Sequence, residues 1–147
     1  MRKLGLDLGT KTCGFAITDS SEIIATGLEN FRFPAENDFN SVIEQIKHYL
    51  NIYKNEIDGF ILGYPLKISG DKSERTLMVE DFKTLLETNF PNIPVMLINE
   101  QYTTKMAHQT MIDAGLTRQK RKQYKDKLAA QLILNEYLEY HRHKWGK

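Results

Sequence analysis

Short apolar stretches joined by brief turns occupy the first thirty positions of the chain, and they have the composition of β-strands. Three short strands are predicted, at residues 3–8, 14–18 and 22–29. The second and third are separated only by Asp19, Ser20 and Ser21. Links this short favour an antiparallel meander.

From Asp38 onwards the apolar residues recur every three or four positions, which predicts a helix starting at Asn37–Asp38. They are Phe39, Val42, Ile43, Ile46, Leu50 and Tyr53. Downstream, the pattern predicts buried strands at 60–62 and 95–98 and helices at 77–89, 103–115 and 125–140. The order βββαβαβαα predicts an α/β fold with a mixed five-stranded sheet flanked by helices, and it resembles the order of RNase H-like folds.

The composition is that of one folded domain, expected to span residues 1–147. The chain is 41% hydrophobic and 27% charged, and no apolar run approaches the roughly 20 residues of a membrane span. A strand begins at once after Met1, so no signal peptide is expected. The single cysteine, Cys13, excludes an internal disulfide and a thiolate metal cluster, which fits a cytoplasmic protein.

The net charge of +1 does not by itself indicate a nucleic-acid-binding protein, but the basic residues are concentrated. Six of them surround Asp126: Arg118, Lys120, Arg121, Lys122, Lys125 and Lys127. Such a stripe attracts phosphate, although a solvated charged loop is an equally good interpretation.

Three acids stand at positions that indicate a function, two of them among apolar residues and one at the end of a predicted strand. Asp7 lies inside the first strand, on the face opposite Leu4, Leu6 and Leu8. Glu100 follows the predicted strand at 95–98, at the end where a parallel sheet presents functional groups. A turn aspartate and an exposed acid at a strand end are the competing interpretations.

Asp126 falls on the apolar stripe of the last predicted helix, one turn before Ala129 and Ala130. An acid that interacts with the helix macrodipole would explain its place near the helix start, but not its inward position. Acids from three distant segments at one end of a sheet suggest a Mg²⁺ or Mn²⁺ site of the kind that hydrolyses phosphodiesters. No histidine has a spacing that indicates zinc.

Several motifs together resemble the YqgF/RuvX family, described as Holliday-junction-resolvase-like enzymes and as nucleases of pre-16S rRNA. They are the opening Leu4–Lys11 segment with Gly14–Asp19, the Leu62–Leu66 loop with Gly70, Thr103–Thr104 after Glu100, Gly115, and the segment from Asp126 through Ala129–Ala130 to Tyr137–Leu138. The resemblance covers nearly the whole chain.

The resemblance implies that Asp7, Glu100 and Asp126 are the catalytic, metal-binding acids of a cytoplasmic nuclease that matures the 5′ end of small-subunit rRNA. Pre-rRNA, ribosomal precursor particles and branched DNA are the partners it implies; no membrane is involved. The chain departs from the family at Asn99 and Gln101, which flank Glu100 where the family has Asp and Arg, and at Thr12 in place of Arg. These changes remove two arginines expected to contact phosphate.

Further candidate contacts to substrate phosphate are Lys11, Thr103, Thr104, Arg118, Lys120, Arg121 and Lys122.

Three other functions remain open. The Leu6–Thr10 segment also resembles the phosphate loop of ATP-binding sugar-kinase and actin-like domains. A non-catalytic RNA-binding factor in ribosome assembly would use the same fold, and a true Holliday junction resolvase would require a dimer.

Overall fold

Five strands form one mixed sheet in the computed structural model, which describes residues 1–67, 69–100, 115 and 117–142. The strands are β1 (Arg2–Leu8), β2 (Thr12–Thr18), β3 (Ala25–Arg32), β4 (Ile57–Tyr64) and β5 (Val95–Asn99). Their order across the sheet is β3-β2-β1-β4-β5. The first three form the predicted antiparallel meander, and β1, β4 and β5 run parallel to one another. The predicted α/β class and mixed five-stranded sheet are confirmed.

Three helices are described: α1 (Phe39–Ile52), α2 (Glu74–Asn89) and α3 (Arg118–Tyr140). Asp38 caps α1 as predicted, and its carboxylate accepts a hydrogen bond from the Ser41 backbone N–H. Ser73 caps α2 through a reciprocal capping box with Thr76. The predicted helix at 103–115 falls almost wholly outside the described residues.

The predicted start of the last helix, at Lys125, is wrong, because α3 begins at Arg118. The prediction followed the apolar stripe, which starts only near Ala129. Lysine, arginine and glutamine all have good helix propensity, so the basic stretch continues the helix without an apolar face. The charged-loop interpretation of this stretch is therefore also wrong.

The start of the third strand also differs from its prediction, since β3 begins at Ala25 rather than Glu22. The carboxylate of Asp19 accepts hydrogen bonds from the backbone N–H groups of Ile23 and Ile24, at 2.6 and 2.9 Å. These bonds extend the turn after β2 and delay the strand. They also lower the pKa of Asp19.

The two faces of β1 pack against different helices, as its alternation predicts. Leu4, Leu6 and Leu8 are fully buried in the larger core with residues of α1 and α2. Gly5 and Asp7 belong to the face that carries α3. A Cβ at Gly5 would come within 2.6 Å of Leu134 Cγ, so the absent side chain lets α3 approach the sheet closely.

Among the described helices, none combines the length and the apolar character needed to cross a membrane.

Candidate active site

The carboxyl ends of the parallel strands meet at one edge of the sheet, and two of the predicted acids lie there. Asp7 is the penultimate residue of β1, and Glu100 directly follows β5. In the sheet register, Leu6 lies opposite Leu62, and Leu62 lies opposite Leu97. This edge is where open α/β sheets place their functional groups.

Arg75 joins the two acids. It donates from Nη2 to Asp7 Oδ1 and from Nη1 to Glu100 Oε2, both at 3.2 Å. The same Nη2 donates to the backbone carbonyl of Leu8 at 3.1 Å. The structure therefore brings Asp7 and Glu100 together around a single guanidinium group.

Arg75 was missed by the sequence analysis, although its position carries a signal. It is the second residue of α2, where the positive end of the helix macrodipole disfavours a cation. An arginine placed there needs a compensating anion, and the two carboxylates of the sheet edge supply it. This unfavourable placement of an arginine at a helix N-terminus was the signal in the sequence that Arg75 has acidic partners.

Glu100 is buried, with 8% of its surface exposed, and Gly63 in β4 provides the space for it. A Cβ at Gly63 would lie inside van der Waals contact of Glu100 Oε1, 3.0 Å from Glu100 Cδ and 2.6 Å from Ile133 Cδ1. The carboxylate is thus held between β4 and α3. A buried carboxylate is costly unless it is paired or bound to a cation, and the bond from Arg75 offsets part of that cost at Oε2.

Asp126 lies on the backbone of α3, one turn before Ala130. A Cβ at Gly14 would lie 3.5 Å from Ala130 Cβ and 3.6 Å from Asp7 Cβ, so this part of α3 passes beside Asp7. The Asp126 side chain is outside the described part of the chain. Among the described residues, no group of three His, Cys, Asp or Glu side chains forms a metal cluster.

The donors at the edge fit a hard divalent cation. Asp7 and Glu100 offer only carboxylate oxygens, which Mg²⁺ and Mn²⁺ prefer. The guanidinium group of Arg75 shows that both carboxylates face one position of positive charge. The space left by Gly63 also keeps Glu100 in place beside that position.

Cys13 lies near this edge but has no part in its chemistry. Its side chain is fully buried. Burial, reinforced by the negative charge of Asp7, raises the pKa of the Cys13 thiol well above its usual value. The thiol therefore stays protonated at neutral pH and is neither a ligand nor a nucleophile.

A second ion pair lies beside the entrance to α2. Lys72 Nζ and the Tyr64 hydroxyl both donate to Glu80 Oε2, at 2.9 and 3.0 Å. These two bonds lower the pKa of Glu80. Lys72 is thus a neighbouring cation paired with an acid outside the Asp7–Glu100 pair.

The predicted phosphate-contacting residues fall into three groups. Lys11 is exposed in the turn between β1 and β2, close to Asp7 in the chain. Thr103 and Thr104 lie outside the described residues. Arg118, Lys120, Arg121 and Lys122 belong to the first turns of α3, whose backbone alone is described there.

The direction of α3 places these first turns beyond the carboxylate edge. Ala130 lies beside Gly14 and Asp7, whereas the Tyr137 hydroxyl contacts Glu22 at 3.2 Å, near the start of β1. With a rise of about 1.5 Å per residue, Arg118 lies roughly 18 Å along the helix axis before Ala130. The basic turns therefore extend well past the acids.

The sheet order, the helices on both faces and the acidic edge define an RNase H-like domain. Two solved structures share this fold. RuvC of T. thermophilus in complex with a Holliday junction substrate superimposes with a TM-score of 0.52 at 16% identity, covering 96% of both chains. A Thermus thermophilus RuvC structure gives a TM-score of 0.50 at 13% identity, covering 93% of this chain and 95% of that one.

The chain belongs to the RuvX family, because residues 1–140 match the family described as "RuvX: Holliday junction resolvase". A relative from Mycoplasmopsis pulmonis is 47% identical over 139 residues, which are 94% of this chain and 92% of the relative. One from Ureaplasma parvum serovar 3 is 45% identical over 142 residues, covering 94% and 96%. Both carry the name "Putative pre-16S rRNA nuclease".

The family match confirms the predicted resemblance and the RNase H-like fold. RuvX is a nuclease family, so the protein is a nuclease that acts on nucleic acid. This assignment favours the nuclease interpretation over the ATP-binding alternative suggested by Leu6–Thr10.

Proposed function

We propose that the protein is a divalent-metal-dependent endonuclease that processes the 5′ end of pre-16S rRNA during ribosome biogenesis. Asp7, Glu100 and Asp126 are its catalytic acids, and Mg²⁺ or Mn²⁺ is its cofactor. The observation that carries the proposal is the convergence of Asp7 and Glu100 on the single guanidinium group of Arg75. Two acids far apart in sequence are held together at the edge of the sheet where functional groups are expected.

Each acid would hold the cation from a well-anchored position. Asp7 extends from the central strand, Glu100 is fixed by the space at Gly63, and Asp126 completes the site from α3. A divalent cation bound there would activate a water molecule and stabilise the leaving oxygen of a phosphodiester. Asp7 and Glu100 direct carboxylate oxygens toward one point of the sheet edge.

The basic first turns of α3 and Lys11 would hold the nucleic-acid backbone over the acids. The basic residues of α3 are Arg118, Lys120, Arg121 and Lys122, and Thr103 and Thr104 are further proposed contacts. Because they extend past the site, these cations would fix the register of an extended strand without reading its bases. RNA is the proposed substrate because the relatives bear the name of a pre-16S rRNA nuclease. The proposed site of action is the ribosomal precursor particle in the cytoplasm. Residues 1–147 are proposed to form a single nuclease domain.

The test is cleavage of labelled precursor rRNA fragments with Mg²⁺, Mn²⁺ or a chelator. We expect metal-dependent cutting by the wild type and none by D7N, E100Q or D126N. The matched control is D81N, which removes one negative charge at an exposed position of α2 and is expected to cut normally. Cutting by D7N at the wild-type rate, or cutting in chelator, would overturn the assignment.

Cleavage of branched DNA is the second candidate, favoured by the family description as a Holliday junction resolvase. A four-way DNA junction beside the RNA fragments distinguishes the two substrates. Metal-dependent cutting of the junction alone would assign junction resolution. RNA binding without any cutting, unchanged in D7N, would instead indicate a non-catalytic assembly factor.

A further inference from the structure

We propose that Arg75 is an internal counter-cation of the acidic edge, and that it competes with the divalent metal for Asp7 and Glu100. The inference rests on the proposed function, because it requires that these two carboxylates bind a cation. It gives a role to a residue on α2, an element that supplies none of the three proposed acids. Arg75 is a positioning residue here, since it acts through the carboxylates.

The contacts show that Arg75 uses the oxygens that a metal would need. Its two terminal nitrogens are bonded separately to Asp7 Oδ1 and Glu100 Oε2, at 3.2 Å each. One guanidinium group therefore spans two acids on β1 and after β5. A cation bound to both acids at these oxygens would have to displace it.

The exposure of Arg75 makes displacement feasible. Its side chain is 44% exposed, against 21% for Asp7 and 11% for Glu100. Ion pairs with an exposed partner are weak and easily exchanged, and the two carboxylates are the less exposed members of these pairs. Arg75 also enters from the first turn of α2, which the macrodipole makes unfavourable for a cation.

The position of Glu100 does not depend on Arg75 alone. The space left by Gly63, between β4 and Ile133 of α3, holds the carboxylate independently. Removal of the guanidinium is therefore expected to leave Glu100 in place and to increase the negative potential at the edge. Such a site attracts a divalent cation more strongly, while the metal-free fold becomes less stable.

The test is a Mn²⁺ titration of wild type, R75Q, R75K and D7N, with free Mn²⁺ measured by electron paramagnetic resonance. We expect R75Q to bind Mn²⁺ about tenfold more tightly than the wild type. R75K should lie between them, because one ammonium group cannot bond both acids in the bidentate geometry of a guanidinium. The matched control is K72Q, which removes a neighbouring cation paired with Glu80 and is expected to change the affinity less than about twofold.

Thermal unfolding provides a readout that does not depend on activity. Without metal, R75Q is expected to melt below the wild type. With saturating Mn²⁺, its midpoint should rise more than that of the wild type. A purely structural role for Arg75 would lower the midpoint by the same amount with and without metal.

The outcomes separate this inference from the proposed function. Equal or weaker Mn²⁺ binding by R75Q, with binding lost in D7N, overturns the competition and leaves the metal site intact. Equal Mn²⁺ binding by wild type and D7N overturns the metal site itself. If R75Q does not fold, an NMR titration of the wild type tests the same inference. Addition of Mg²⁺ is expected to shift the Arg75 Nε–H resonance, and no shift at saturation overturns the inference.

Discussion

Substitution of Gly63 by alanine tests how the fold positions the acidic edge. The added methyl group would lie inside van der Waals contact of Glu100 Oε1 and 2.6 Å from Ile133 Cδ1. One of these neighbours lies at the end of β5 and the other on α3, and both are buried. The methyl group can therefore be accommodated only if the Glu100 carboxylate and the Ile133 side chain both shift.

The expected cost follows from overpacking. Inserting a methyl group into a well-packed site costs about 1–3 kcal/mol, and replacing a strand glycine by alanine recovers roughly 0.5–1 kcal/mol. A net loss of about 1–2 kcal/mol corresponds to a fall of roughly 2–8 °C in the melting temperature of a domain near 150 residues. If Glu100 is a metal ligand, as proposed, displacing its carboxylate is expected to weaken Mn²⁺ binding by about 10–100-fold, the range seen when the support of a ligand is removed.

The assay combines thermal unfolding with Mn²⁺ titration, and Gly14→Ala is the matched control. A Cβ at Gly14 would meet Ala130 Cβ at 3.5 Å and Asp7 Cβ at 3.6 Å, which are ordinary contacts on the same face of the sheet. We expect G14A to keep both its stability and its Mn²⁺ affinity. If G63A matched the wild type in both measurements, the argument that Gly63 makes room for Glu100 would be refuted.

Two further predictions concern charges away from the acidic edge. Lys3 Nζ contacts Glu22 and Asp58 at 2.9 and 2.7 Å. Lys3→Met is therefore expected to lower the free energy of unfolding, measured by urea denaturation, by about 2–4 kcal/mol. The exposed control K47M should lose less than about 1 kcal/mol. Burial alone would lower the pKa of Lys3, but its bonds to Asp58 and Glu22 raise it above the usual 10.5. The contribution of Lys3 to the free energy of unfolding should therefore persist below that pH and disappear as the pH rises further. An identical loss in K3M and K47M would contradict this prediction. The backbone bonds from Ile24 and Ile23 lower the pKa of Asp19 from its usual 3.8. The difference in unfolding free energy between wild type and D19N should therefore be constant above that pH and vanish as the pH falls below it. A difference that persists to the acid limit would show that the Asp19 carboxylate is not responsible.

The sequence predicts the features that depend on local patterns. The alternation around Asp7 correctly separates the leucine face from the α3 face, and Asp38 correctly marks the start of α1. The end of β5 correctly places Glu100 at the carboxyl edge. Each of these follows from the period of one element or from one cap.

The features that were missed depend on contacts between elements or on turn chemistry. Arg75 reaches the site only because α2 packs beside the ends of β1 and β5, which no single segment encodes. The late start of β3 follows from the Asp19 carboxylate, and the early start of α3 from the helix propensity of its basic residues. The role predicted for Asp126 stays a prediction, as do those of Thr103 and Thr104.

The central place of β1 in the sheet has a consequence for how the chain folds during its synthesis. β1 is the first strand to be synthesised, yet Leu6 pairs with Leu62 of β4, a long loop closure that makes folding slow. Until β4 is made, a nascent chain has only the β1–β3 meander, with one side of β1 open to mispairing. Glu100 arrives later still, so under the proposed mechanism a partly synthesised chain carries Asp7 without its second acid and is expected to cut no nucleic acid.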